Sequence, residues 1–110
     1  MNAGNLRGKL EVWGMVKITN ELDEEDYEKG KIKEVFAEIV PQTGSLQRQS
    51  GIETVLSRVT HKVIIRYLSG RDIKSDMWFV FRGQRFDIRF ILNPYFRNEK
   101  LEFFCEEVIG

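Results

Sequence analysis

The sequence has one cysteine, one histidine and two prolines in 110 residues, and its 17 basic side chains balance 17 acidic ones. Each shortage excludes something. A single thiol, Cys105, cannot close an intramolecular disulfide, which fits a reducing compartment. One cysteine and one histidine do not make a structural zinc site by themselves. A net charge of zero lacks the basic excess by which non-specific DNA binders neutralise phosphates. No apolar run approaches the ~20 residues of a membrane span. The opening MNAGNLRGK has no hydrophobic signal core. The chain reads as a small soluble protein made in the cytoplasm, with no membrane contact.

Catalytic signals are also missing. His61 is a lone histidine on a strand-like run, with no nucleophile or carboxylate constellation around it. Gly4, Gly8 and Gly14 are dispersed, and none opens a phosphate-binding helix. The sequence therefore predicts no catalytic residue, no cofactor site and no metal site. It is not read as an enzyme.

What is present is strand pattern. Apolar residues make up 42% of the chain, with eight phenylalanines. A chain of this length buries roughly 65% of its unfolded surface, enough to fold alone as one domain. Residues 59–92 carry period-two alternation, the signature of half-buried strands. Val59, His61, Val63, Ile65 and Tyr67 share one parity; Met77, Phe79 and Phe81 form a second run, and Phe86, Ile88, Phe90 and Leu92 a third. Gly83, between the last two, supplies the positive φ of a tight hairpin turn. The reading is three consecutive strands in a meander.

Upstream, residues 5–19 alternate as one strand, with a bulge allowed at Gly14. Residues 21–31 follow, and six of the first eight are acidic. The pattern suits a solvated hairpin loop. Calcium loops need oxygen ligands at set offsets around a glycine, and Asp23, Asp26 and Glu28 lack that spacing. A third reading is an acidic face that docks on a basic partner. Residues 32–40 make a second long strand, ended by Pro41, which cannot donate to a ladder.

Residues 41–58 break the composition. Gln42, Thr43, Gly44, Ser45, Gln47, Gln49, Ser50 and Gly51 make the stretch polar and almost uncharged, and it is long for a connection inside a compact domain. A short helix near residues 52–57 is weakened by β-branched residues. At the other end, Asn93-Pro94 and Asn98 are turn chemistry, and residues 101–109 form a last strand with Cys105 on the core side. The sum is about six strands and at most one short helix, an all-β chain forming a small antiparallel barrel or sandwich.

Arginines interleave with aromatics between Trp78 and Arg97, as they do on single-strand-binding barrels. The aromatics mostly share core parity, however, and the chain is neutral. Single-stranded nucleic-acid binding is the weaker alternative.

Several short motifs in order resemble the head–tail joining, or head-closure (stopper), proteins of long-tailed phages. They are Leu6-Arg7; Phe36-Ala37; Thr43-Gly44; Thr60-His61 with Val63, Ile65, Arg66 and Tyr67; Gly83 with Arg85, Phe86 and Ile88; and Leu101, Phe103, Cys105 and Glu106. Two departures are Gln84, between Gly83 and Arg85, and Ser45-Leu46, where a charged pair is common. The resemblance implies a structural virion protein of the head–tail connector or neck, from a phage or prophage. Such a protein forms a ring of roughly six or twelve copies, a closed cyclic assembly, below the portal and its adaptor. It closes the DNA channel after packaging and presents a surface to a tail-completion or tail-terminator protein, touching packaged DNA only within the channel. The alternative in this class is another neck or tail-completion protein with a similar barrel. The implied closure loop comprises Gln42, Thr43, Gly44, Ser45, Leu46, Gln47, Arg48, Gln49, Ser50 and Gly51. Asp23, Glu24, Glu25 and Asp26 are the expected assembly contacts, and Gly83 the structural turn.

Overall fold

A computed structural model describes residues 6–42 and 59–109. The six strands are β1 (Leu6–Thr19), β2 (Glu25–Pro41), β3 (His61–Arg66), β4 (Trp78–Phe81), β5 (Gln84–Leu92) and β6 (Lys100–Val108). They close into an antiparallel barrel in the order β1-β2-β3-β6-β5-β4. A one-turn helix, α1 (Tyr67–Gly70), follows β3, and a 3-10 turn (Pro94–Phe96) separates β5 from β6.

The alternating parities place the core as expected. Leu10, Val12, Ile39, Val63, Ile65, Phe79, Phe103 and Cys105 are fully buried. Phe79 and Phe103 meet edge to face, 5.3 Å between centroids, at its centre. Burying each such side chain contributes roughly 1.5–3 kcal/mol. At one end of the barrel, Ile73 and Gly70 pack inward from the segment after β3, Gly70 lying close to Ile65, Leu101 and Phe103. At the other end, Thr60 N donates to Cys105 O (2.8 Å) and Gln42 N donates to Thr60 O (2.8 Å).

The structure corrects the strand neighbours. The three central strands are not a meander: β3 lies between β2 and β6, while β4 lies between β1 and β5. Period two shows which face a residue occupies, not which strand lies beside it. The β4–β5 hairpin is as read, with Phe81 opposite Gln84 and Arg82 (φ 54°) and Gly83 (φ 82°) forming a two-residue turn. Gln84 is thus the first residue of β5 and not an insertion in the turn. Tyr67 begins α1 rather than extending β3. A bulge between Ile88 and Phe90 turns Phe90 outward, where it stacks on Phe104 at 4.5 Å, and turns Ile91 toward the core.

The acidic stretch is corrected most. Only residues 20–24 form a turn; Glu25 to Lys31 are strand, paired with Thr19 back to Trp13. β1 meets β4 only at Glu11–Trp13, and β2 meets β3 only at Glu38–Pro41. Residues 14–19 and 25–30 therefore form a two-stranded arm with no third strand among the described residues. At ~3.3 Å per residue, the 17 residues of β2 run about the length of the 52 Å long axis. The bulge read at Gly14 lies one step away. The register shift between Val12 and Trp13 leaves Ile32 as the extra residue on β2. Gly14 makes room for it: a Cβ there would stand 2.9 Å from Ile32 Cδ1 and 3.1 Å from Met77 Cγ.

Candidate assembly surfaces

Two of the expected contact regions sit at opposite ends of β2, with the arm tip at its start and the exit toward residue 43 at its end.

The tip is built by Asn20. Its Oδ1 accepts from the backbone of Leu22 (2.9 Å) and Glu24 (3.0 Å), its N donates to Glu24 O (3.0 Å), and its O accepts from Asp23 N (3.1 Å). Asp23 takes a left-handed backbone, φ 59°, which short polar side chains tolerate. Asp23 and Glu24 on this turn, and Glu25 and Asp26 at the start of β2, are all exposed. Lys17 pairs with Glu25 at 2.9 Å, and Asp26 Oδ1 accepts from Tyr27 N. Among the described residues, Asp23 and Glu24 have no ion pair, so the tip keeps a surplus of negative charge. Leu22, at its apex, is 78% exposed.

The arm is fixed to the barrel at its base. Lys33 Nζ donates to Asp72 Oδ1 and to Ser69 O, both at 2.6 Å, tying β2 to the segment after β3. The hydrogen bond from Lys33 holds the Asp72 carboxyl below its ordinary pKa.

At the opposite end, Gln42 and Thr60 hold the two sides of the 41–58 stretch together. Thr60 Oγ1 accepts from Glu107 N at 2.7 Å and lies 2.9 Å from His61 Nδ1. The His61 ring meets Phe86 edge-on at 5.0 Å. Burial lowers its pKa, with Glu107 opposing. His61 is thus a structural residue beside the exit. Of the expected closure residues, Gln42 is described; Thr43, Gly44, Ser45, Leu46, Gln47, Arg48, Gln49, Ser50 and Gly51 lie outside the described residues, as does the helix expected near 52–57.

The arginine–aromatic cluster resolves into local pairs. Arg85 lies 4.2 Å over the Trp78 ring and donates to Asp87 at 2.7 Å; Arg89 pairs with Glu106. Arg82 covers Phe81 and Arg97 covers Tyr95. These cations are committed to neighbouring acids and rings and do not form an open track for a phosphate backbone. The Cys105 thiol is buried, and burial raises its pKa far above the ordinary thiol value, so it is unreactive packing. Among the described residues, no group of three or more His, Cys, Asp or Glu is placed to hold a metal ion.

Two exposed aromatic features lie outside the contact regions read from the sequence. Phe36 sits on the outer face of β2, 68% exposed, because its parity is opposite to that of Val35, Ala37 and Ile39. Tyr95 and Phe96 are 84% and 89% exposed, both with positive φ (55° and 54°). A left-handed backbone is costly for bulky residues, and runs of aromatics give no hint of it.

Residues 1–108 match the family model described as phage head completion protein. The chain belongs to that family. The resemblance drawn from the six motifs is therefore correct. The head completion fold recurs in the solution structure of protein SF1141 from Shigella flexneri 2a. That chain is 19% identical, with a TM-score of 0.72, and the match covers 97% of this chain and 96% of the other. A chain from the virion of a native gene transfer agent particle is 18% identical with a TM-score of 0.60, covering 94% and 96%. No curated protein matches the sequence. Among the described residues, no helix is long and apolar enough to cross a membrane.

Proposed function

We propose that this chain is a structural component of the head–tail connector, one connector domain over its 110 residues. It assembles as a ring below the portal and its adaptor, closes the DNA channel after packaging and offers the tail its attachment surface. The observation that carries this reading is the head completion family match over residues 1–108. The gene transfer agent chain of similar fold, found in a virion, supports it. So does the two-ended shape: a neck component must meet one neighbour on each side, and β2 separates the acidic tip from the Gln42 end by the length of the molecule.

In this reading Asp23, Glu24, Glu25 and Asp26 make contacts with a basic surface of the adaptor or a tail protein. The closure role falls to the stretch that starts at Gln42 and runs to Gly51. No cofactor or catalytic step is involved, and DNA is touched only within the channel. The chain is made in the host cytoplasm and ends in the virion.

The test is electron microscopy of particles made without this gene. Tailless heads that have lost their DNA, beside finished free tails, support the closure role. Full heads that retain DNA would move the chain further down the neck, to a tail-completion role. Normal virions would overturn the reading.

A further inference from the structure

We infer that the arm of one copy extends the arm of the next: the open edge of β2, residues 25–31, pairs antiparallel with the open edge of β1, residues 14–19, of a second copy. The inference deepens the connector reading and rests on it.

The arm has two open edges. Among the described residues, β1 beyond Trp13 has β2 on one side and no strand on the other. On the side away from β1, β2 has no strand beside it before Glu38. The segment after β3 reaches that edge at Lys33, through Ser69 and Asp72, which leaves residues 25–31 uncovered. An open strand edge presents a row of unpaired N–H and C=O groups, a template for a further strand. Proline is absent from residues 14–31, and the one bulge of the β1–β2 pair lies at the arm's base. Met15 and Tyr27, on one face of the ribbon, are 55% and 59% exposed.

Charge identifies the occupant. Like edges do not suit one another on β2. A two-fold antiparallel pairing keeps each face on its own side of the sheet, so it turns about a single residue. Turning about Tyr27 sets Asp26 opposite Glu28; turning about Glu28 sets it opposite itself, and turning about Lys29 does the same for that lysine. Turning about Asp26 or Gly30 repeats the fault, with Asp26 on Asp26 or Lys29 on Lys31. Like charges directly opposite are destabilising in every case. The edge of β1 has no such conflict, and the arm itself demonstrates the fit. Within the chain the same two strands set Met15 opposite Lys29, Val16 opposite Glu28, Lys17 opposite Tyr27 and Thr19 opposite Glu25, and Lys17 bridges to Glu25 at 2.9 Å. Repeating that register between copies keeps both faces aligned, brings no like charges together and continues one antiparallel sheet from arm to arm. Shape agrees. A two-stranded ribbon is ~10 Å wide, while the molecule measures 29 by 27 Å across its long axis. Arms in contact therefore converge while barrels stand apart, the wedge of a ring subunit. Edge of β2 on edge of β1 is a heterologous contact, which yields a ring when the rotation closes.

The experiment mixes two variants of the full-length purified chain, Met15→Cys and Lys29→Cys, oxidises them at about 1 mM, and reads covalent dimers on a non-reducing gel. The two added thiols sit on different chains, so a bond between them is a bond between copies. Cys105 is buried, and the unaltered chain serves as the blank. The expected result is a dimer yield in the mixture about tenfold above that of either variant alone, because unlike edges pair and like edges repel. Dimers as abundant in either variant alone as in the mixture, or no dimers above the blank, would overturn the contact. Both positions are exposed, and thermal melting checks that the variants fold. Lys17→Cys with Tyr27→Cys, the next pair on that face, replaces them should either melt early. Failure of the connector reading is seen separately, as absence of the chain from purified particles, whatever the gels show.

Discussion

The barrel and the arm are built from the same two strands under opposite rules. Within the barrel, Leu10, Val12, Val35, Ala37 and Ile39 face a closed core. Past Gly14, β1 and β2 have no core to face, and Met15, Leu22 and Tyr27 are exposed among charged neighbours. A two-stranded ribbon is marginal in water when alone. This one is held by its base, where Ile32, Gly14 and Met77 interlock and Lys33 reaches Asp72 and Ser69. Stability is thus concentrated in the barrel, and the arm carries surface chemistry outward at little cost to it.

The largest effect should come from breaking the barrel. Phe103→Ala removes half of the central edge-to-face pair and should cost about 3–5 kcal/mol, read by urea denaturation. That is a large part of the ~5–15 kcal/mol stability of a small domain. Gly83→Ala is milder. A Cβ there meets nothing within 4 Å, so the loss of about 1 kcal/mol comes from φ 82° alone.

Acid should act next, through His61. Its pKa in the folded chain lies below the ordinary value of 6.5, so the unfolded chain binds the proton more readily. Its contribution is complete above that pH and is lost as pH falls through the folded pKa. His61→Gln should flatten the fall in urea midpoint between about pH 7.5 and about pH 5. The smallest effect on stability belongs to the tip. Neutralising Asp23, Glu24, Glu25 and Asp26 as Asn or Gln should leave the urea midpoint of the purified chain unchanged while reducing its incorporation into particles. Unchanged incorporation would remove the acidic tip from the assembly contacts.

How much was legible follows from the same contrast. Wherever a strand has one buried face, alternation marks it, so Val63, Ile65, Phe79, Phe86 and Cys105 read as inside and Gly83 as the turn. The arm hid because neither of its faces is buried: residues 25–31 read as loop since nothing apolar alternates there. Pairing of β3 with β6 was illegible because period two carries no information about neighbours. The bulge near Arg89 reversed Phe90 and Leu92 by shifting the register one residue. Of the candidate surfaces, the acidic tip stood out by charge. The exposed Tyr95–Phe96 pair did not, because the hydrogen bonds between Asn93 and Asn98 that shape its turn read as ordinary turn chemistry.

The most direct test of the connector account is a cryo-electron microscopy reconstruction of the neck in tailed particles. The account predicts a ring of these barrels between the portal complex and the tail, with each Asp23–Asp26 tip at an interface and each Gln42 end toward the channel axis. Particles whose necks contain no copy of this barrel would contradict it.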